Sequence, residues 1–158
     1  MLAQSRSFES RSEDQTSRLA QRLGAMLKPG DTVLLEGDIG AGKTHIARQL
    51  IQSLQDRPED VPSPTFTLIQ TYDTRAGEIW HADLYRLTEP GEIEELGLTE
   101  AFDTAICLIE WPDRMGSMTP KDALVLTLKA DPIQESTRHL TFSWTSPRWA
   151  KIIQALTA

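Results

Sequence analysis

EGDIGAGKTHIARQL, residues 36–50, sets three glycines within six positions and follows them with Lys-Thr. Glycine loses more conformational freedom on folding than any other residue, so such a concentration needs a reason. Gly37, Gly42, Lys43 and Thr44 match G-x-x-x-x-G-K-[ST], the phosphate-binding P-loop. In that loop the backbone N–H groups turn inward around phosphate oxygens, and side chains at Gly37, Gly40 and Gly42 would obstruct the approach. A helix opening near Lys43 adds the positive end of its dipole. Lys43 offers a mobile cation for the β and γ phosphates, and Thr44 a hydroxyl for Mg2+. Asp38 and Ile39 then shape the loop, and Glu36 closes the strand before it.

The surroundings meet the motif's requirements. Thr32 to Glu36 reads as a short buried strand, and Ile46, Leu50, Ile51 and Leu54 continue as one stripe of a helix. Further upstream, Ser12, the acids after it, Gln15 and the recurrence of Leu19, Leu23 and Leu27 predict a helix that stops at Lys28-Pro29-Gly30-Asp31. Residues 1–11 read as a mobile arm or a short edge strand around Phe8. Downstream, Gln55 to Pro64 is a proline-rich loop. Thr65 to Tyr72 alternates as a strand, with Phe66, Leu68 and Gln70 on one side. Ala76-Gly77 turns it into a second strand, Glu78 to Tyr85, antiparallel to the first. A short acidic helix over Glu89 to Leu96, an apolar run over Thr104 to Glu110, strands over Ala123 to Lys129 and His139 to Trp144, and an amphipathic helix over Trp149 to Leu156 complete the pattern. Strand, glycine loop, helix and later strands predict an α/β three-layer domain.

The 158 residues, 39% hydrophobic and 25% charged, fit one domain, residues 1–158. The formal charge of −7 argues against strong direct binding to nucleic acid, which needs a basic face. One cysteine, Cys107, forms no internal disulfide framework and lies in an apolar run, as a buried thiol. No apolar stretch approaches the roughly 20 residues of a membrane span. The opening MLAQSRSFES carries no signal-peptide core. A soluble cytoplasmic protein is the expectation.

A P-loop enzyme needs a carboxylate at the end of a neighbouring strand for its Mg2+. AICLIE places Glu110 at such an end, where ligands of α/β folds gather. Asp113 to Gly116 spells D-x-x-G but follows Trp-Pro past the strand end, and is read as a turn. The chain contains no asparagine, so the guanine-reading N-K-x-D is absent and ATP is favoured over GTP. Asp83 could orient water or simply be an edge-strand acid. His81, two residues before it, could support Asp83 or be a packed imidazole. Tyr85 and Arg86 are as much packing and surface residues as functional ones. His45, His81, His139 and Cys107 do not make a zinc set.

Ser63-Pro64-Thr65-Phe66, His81-Ala82-Asp83-Leu84-Tyr85-Arg86-Leu87 and Ile109-Glu110-Trp111-Pro112, in this order after GDIGAGKT, closely resemble the TsaE (YjeE) family. These are bacterial ATPases of tRNA threonylcarbamoyladenosine biosynthesis. The resemblance runs from the first helix to the strands after residue 120. It implies a P-loop NTPase-like fold with a mixed central sheet, ATP and Mg2+ as cofactors, and TsaB and TsaD proteins as partners that attach threonylcarbamoyl to adenosine 37 of tRNA. The tRNA would be met only through that complex. By the same resemblance, Gly37 to His45, Thr65 and Trp111 (with Gly40, Ala41 and Gly42 inside the loop) surround the nucleotide. Lys43 and Thr44 hold phosphate and metal, and Asp83 and Glu110 are the carboxylates around Mg2+ and the attacking water. Glu110 is assigned to the metal with Thr44, and Asp83 with Lys43 to catalysis. His45 stands where the family often has a second Thr or Ser. Two other classes compete: a small-molecule kinase, for which no arginine-bearing lid is evident after residue 114, and a nucleotide-dependent binding module in which hydrolysis is incidental.

Overall fold

In the computed structural model, which describes residues 3–65 and 67–157, the strand that feeds the glycine loop lies in the middle of a mixed seven-stranded sheet. The elements in chain order are β1 (Gln4–Ser10), α1 (Glu13–Gly24), β2 (Thr32–Glu36), α2 (Lys43–Leu54), β3 (Ile69–Thr74), β4 (Gly77–Asp83), α3 (Glu92–Glu95) and α4 (Leu98–Thr104). They continue with β5 (Ile106–Glu110), a 3-10 helix (Pro112–Met118), β6 (Leu124–Ala130), β7 (Arg138–Trp144) and α5 (Pro147–Leu156). The strand order is β1-β7-β6-β2-β5-β4-β3. The inner strands β6, β2, β5 and β4 run parallel, while β1, β7 and β3 add antiparallel edges.

Parallel strands covered on both faces read as continuous apolar runs. Val33 and Leu35 of β2, Leu108 of β5 and Phe142 of β7 pack under α1, α2 and α5. Leu34, Cys107, Ile109 and Ala82 pack on the other face, under α3, α4 and the 3-10 helix. This is the three-layer α/β arrangement expected from the element pattern. Burial drives the Cys107 thiol up to about 12, so it stays protonated and inert.

Local chemistry sets the element ends. Ser12 caps α1 by accepting from the Gln15 backbone N–H, and the Gln15 side chain accepts in turn from the Arg11 N–H. Residues 4–10, left open between arm and strand, form the edge strand β1, with Phe8 edge-on to Phe142 at 5.6 Å.

Two readings need correction. The strand expected over Thr65 to Tyr72 begins only at Ile69. Leu68 takes a left-handed φ of 67°, and its N–H bonds the Pro64 carbonyl at 2.7 Å, which folds the chain back before β3. Phe66, placed in that alternation, lies outside the described residues. The acidic helix is shorter than expected, and a second helix, α4, follows it after Gly97, whose φ of 83° breaks the run.

Candidate functional site

The glycine loop turns over the end of β2 and is pinned from below. A Cβ on Gly37 would lie 2.6 Å from the Leu128 carbonyl oxygen, so β6 passes too close for any side chain there. Lys43 opens α2 and is almost fully buried. Its ammonium donates to the Gly37 carbonyl, lies 3.4 Å from the Asp38 carbonyl, and sits 3.7 Å below the centre of the Trp111 ring. Desolvation lowers the Lys43 pKa, and the carboxylates of Glu110, Asp83, Asp38 and Asp113 oppose that shift.

Strand pairing brings the acids together. β5 lies beside β2, and β4 beside β5 with Asp83 in register with Glu110. Both acids end their strands and both are buried. The Thr44 hydroxyl lies 3.0 Å from each Glu110 carboxylate oxygen. On its other side Glu110 Oε2 is 2.6 Å from His81 Nε2. Asp83 accepts from the Thr65 hydroxyl at 3.0 Å and from the Tyr85 backbone N–H at 3.0 Å, and the Ser63 hydroxyl lies 2.7 Å from that of Thr65. Trp111 follows Glu110 in the left-handed region, with φ 57°. Its ring meets that of Tyr85 at 4.9 Å.

These groups converge on a cavity of about 360 Å³. Ile39, Gly40, Gly42, Lys43, Thr44, His45, Thr65, Asp83, Glu110 and Trp111, all named from the sequence, line it. Gly37, Asp38 and Ala41 build the loop's frame rather than its wall: the first two supply carbonyls to Lys43, and the Ala41 carbonyl accepts from Arg138 at 3.0 Å. His45 turns its ring to α1, with Nε2 2.9 Å from the Ser17 hydroxyl. An adjoining cavity of about 440 Å³ shares Gly40, Gly42 and His45 and is also lined by Arg48 and Arg138.

Ser63, given no role from the sequence, and Tyr85, left open there between packing and function, also line the first cavity. Arg138 anchors the loop from β7, and no local signal in the sequence points to it. His81 meets Glu110, not Asp83 as one reading had it, because the parallel register sets β4 and β5 side by side with both side chains on the face under α2. Asp113 to Gly116 lies within the 3-10 helix, with Met115 fully buried.

A mixed parallel-centred sheet with a glycine loop between its central strand and the next helix defines a P-loop NTPase-like α/β protein. The comparisons narrow the class. Residues 10–140 match the family model described as threonylcarbamoyl adenosine biosynthesis protein TsaE. The tRNA threonylcarbamoyladenosine biosynthesis protein TsaE of Rickettsia bellii is 43% identical over 118 residues, 75% of this chain and 82% of that protein. The protein of the same name from Bacillus subtilis is 34% identical over 144 residues, 90% of this chain and 88% of that one. The crystal structure of Bacillus subtilis YdiB superposes with a TM-score of 0.80 at 27% identity, covering 99% of this chain and 97% of that chain. The chain belongs to the TsaE family. Among the described residues no helix is long and apolar enough to cross a membrane.

Proposed function

We propose that this protein acts in threonylcarbamoyladenosine formation on tRNA as a cytoplasmic, Mg2+-dependent ATPase, residues 1–158 forming one P-loop domain, that serves a complex of TsaB and TsaD proteins. Membership of the TsaE family supports the pathway. The observation that carries the chemistry is the convergence of Lys43, Thr44, Glu110 and Asp83 on one cavity under the glycine loop. The donors suit a hard cation: a threonine hydroxyl and carboxylates, all oxygen. Among the described residues no group of three or more His, Cys, Asp or Glu forms a self-sufficient metal cage. That fits Mg2+, which takes one or two carboxylates and completes its shell with phosphate and water.

In this reading Thr44 and Glu110 hold the metal. When bound, Mg2+ neutralises charge on the β and γ phosphates. Lys43 leaves the Gly37 carbonyl for phosphate oxygens, exchanging one acceptor for a charged one. Asp83, held by Thr65 and the Tyr85 N–H, accepts a hydrogen bond from the attacking water. Trp111 covers Lys43 and keeps solvent from it. The adjoining cavity beside His45 gives room for the rest of the nucleotide.

The test is ATP turnover by the chain alone and then with TsaB and TsaD, alongside calorimetry of ATP with Mg2+ or EDTA. Turnover that rises with the partners, and Mg2+-dependent affinity that Glu110→Gln loses, are expected. Full tRNA modification by Asp83→Asn and Glu110→Gln variants would replace the ATPase reading with that of a nucleotide-dependent binding module.

A further inference from the structure

His81 is fully buried, and its ring has one polar partner among the described residues. Nε2 lies 2.6 Å from Glu110 Oε2, while Nδ1 has none. A buried nitrogen without a partner is costly, and an apolar side chain of similar size would fill the same space without that cost. The polar chemistry of this ring is therefore directed at Glu110 alone. Glu110 is held on two sides, by His81 from β4 and by Thr44 from α2. A strand-end glutamate has three side-chain torsions to fix, and one charge-assisted hydrogen bond from a rigid, buried donor restricts them.

We propose that His81 is a positioning residue: it donates through Nε2 to Glu110 Oε2 and aims the carboxylate at the divalent cation that accompanies the nucleotide. This rests on the functional reading above. Groups hydrogen-bonded to metal-ligating side chains commonly contribute ~10- to 100-fold to metal affinity. The ring is fully buried and does not line the cavity, so its effect should appear only in the metal-dependent part of binding.

Calorimetry of ATP with the intact chain, in Mg2+ and in EDTA, separates these terms. His81→Leu should lose ~10-fold or more of the Mg2+-dependent gain in affinity and keep the affinity measured in EDTA. His81→Gln, which can place an amide N–H near the same oxygen, should recover most of the loss. A ring-nitrogen NMR measurement needs no variant: in the unmodified chain the His81 signals should move when Mg2+ is added to the ATP complex, with His139, which lines neither cavity, as reference. A parent protein without any Mg2+-dependent affinity overturns both this proposal and the functional reading. A normal Mg2+ gain in His81→Leu, or an unmoved His81 signal on Mg2+ addition, overturns the positioning role alone.

Discussion

The two ends of the parallel strands bury charge in opposite ways. At the N-terminal end, Asp31 precedes β2 and is buried, with every oxygen engaged. Its carboxylate accepts from Arg148 Nε at 2.9 Å, from Arg148 Nη2, and from the Lys28 backbone N–H at 2.8 Å. Arg148 also donates to the Met26 carbonyl at 3.2 Å, and its pKa is raised chiefly by the hydrogen bond to Asp31. That cluster borders a hollow of about 300 Å³, but its charges answer one another, and it clips α5 to the turn before β2. At the C-terminal end, Lys43, Glu110 and Asp83 are also buried and border one cavity. Among the described residues the ammonium there contacts two carbonyls and an aromatic face, and desolvation pulls its pKa down. Saturated buried charge holds a fold together. A buried ammonium held by carbonyls and a ring, rather than by a counter-ion, is available to a ligand.

The comparison breaks first at Asp83. If its carboxylate orients water, Asp83→Asn should bind ATP almost normally and lose turnover with the partners by ~10²–10⁴-fold. Equal loss of affinity and turnover would make Asp83 a binding group and exchange its role with that of Glu110.

Lys43→Ala comes next. Truncating one partner of a buried, hydrogen-bonded charge pair typically costs about 2–5 kcal/mol, or roughly 30- to several thousand-fold in affinity. Calorimetry with ATP checks this, and an unchanged Kd would remove the glycine loop from the phosphate site. The fold itself should tolerate the change, since the parent lysine is destabilised by its own burial.

Arg148→Ala reverses the pattern. It leaves Asp31 buried with one backbone donor and should cost about 2 kcal/mol of stability. That is below the 3–5 kcal/mol of fully buried pairs, because the guanidinium is 33% exposed. Urea denaturation measures it. ATP affinity of the folded variant should equal the parent's; a coupled loss would mean that the two ends communicate through the sheet.

How far each end could be read from sequence follows from locality. The glycine loop is a run of adjacent residues, and its steric demand at Gly37 is written in one residue type. Glu110 was legible because an apolar strand ended in an acid, and Asp83 because the motif around it is distinctive. The turn at Leu68 was not legible: alternation over Thr65 to Tyr72 favours a strand, and a non-glycine residue at positive φ leaves no compositional mark. α4 escaped because Gly97 cuts the acidic stretch into two helices, each too short for a period to show. Arg138 and the His81–Glu110 contact were hidden for a third reason. They depend on which strands become neighbours, and spacing along the chain does not encode that.

The smallest effect belongs to an Asp–His pair on the loop that follows the C-terminal end of β6. On the β6–β7 hairpin, Asp131 accepts from the backbone N–H groups of Gln134 at 2.8 Å and Ile133 at 2.9 Å, and lies 2.8 Å from His139 Nε2. These hydrogen bonds, the Gln134 N–H foremost, then His139 and the Ile133 N–H, hold its carboxyl below the ordinary value of 3.8, at about 2. The folded form thus binds the proton more weakly than the unfolded one. The stabilising contribution is complete above about pH 4 and disappears as pH falls through about 2. Asp131→Asn should therefore be less stable than the parent near pH 6, and the gap should close between about pH 4 and pH 2. Denaturant midpoints across that range test it, and a gap that stays constant with pH would show that the carboxylate charge is not what the turn uses. The same hairpin carries Arg138, which donates to the Ala41 carbonyl of the glycine loop. ATP affinity should nonetheless be unchanged in Asp131→Asn, because Arg138 is also held by the carbonyls of Glu135 and Thr137. A fall in affinity would mean that the Arg138 anchor on the glycine loop depends on Asp131.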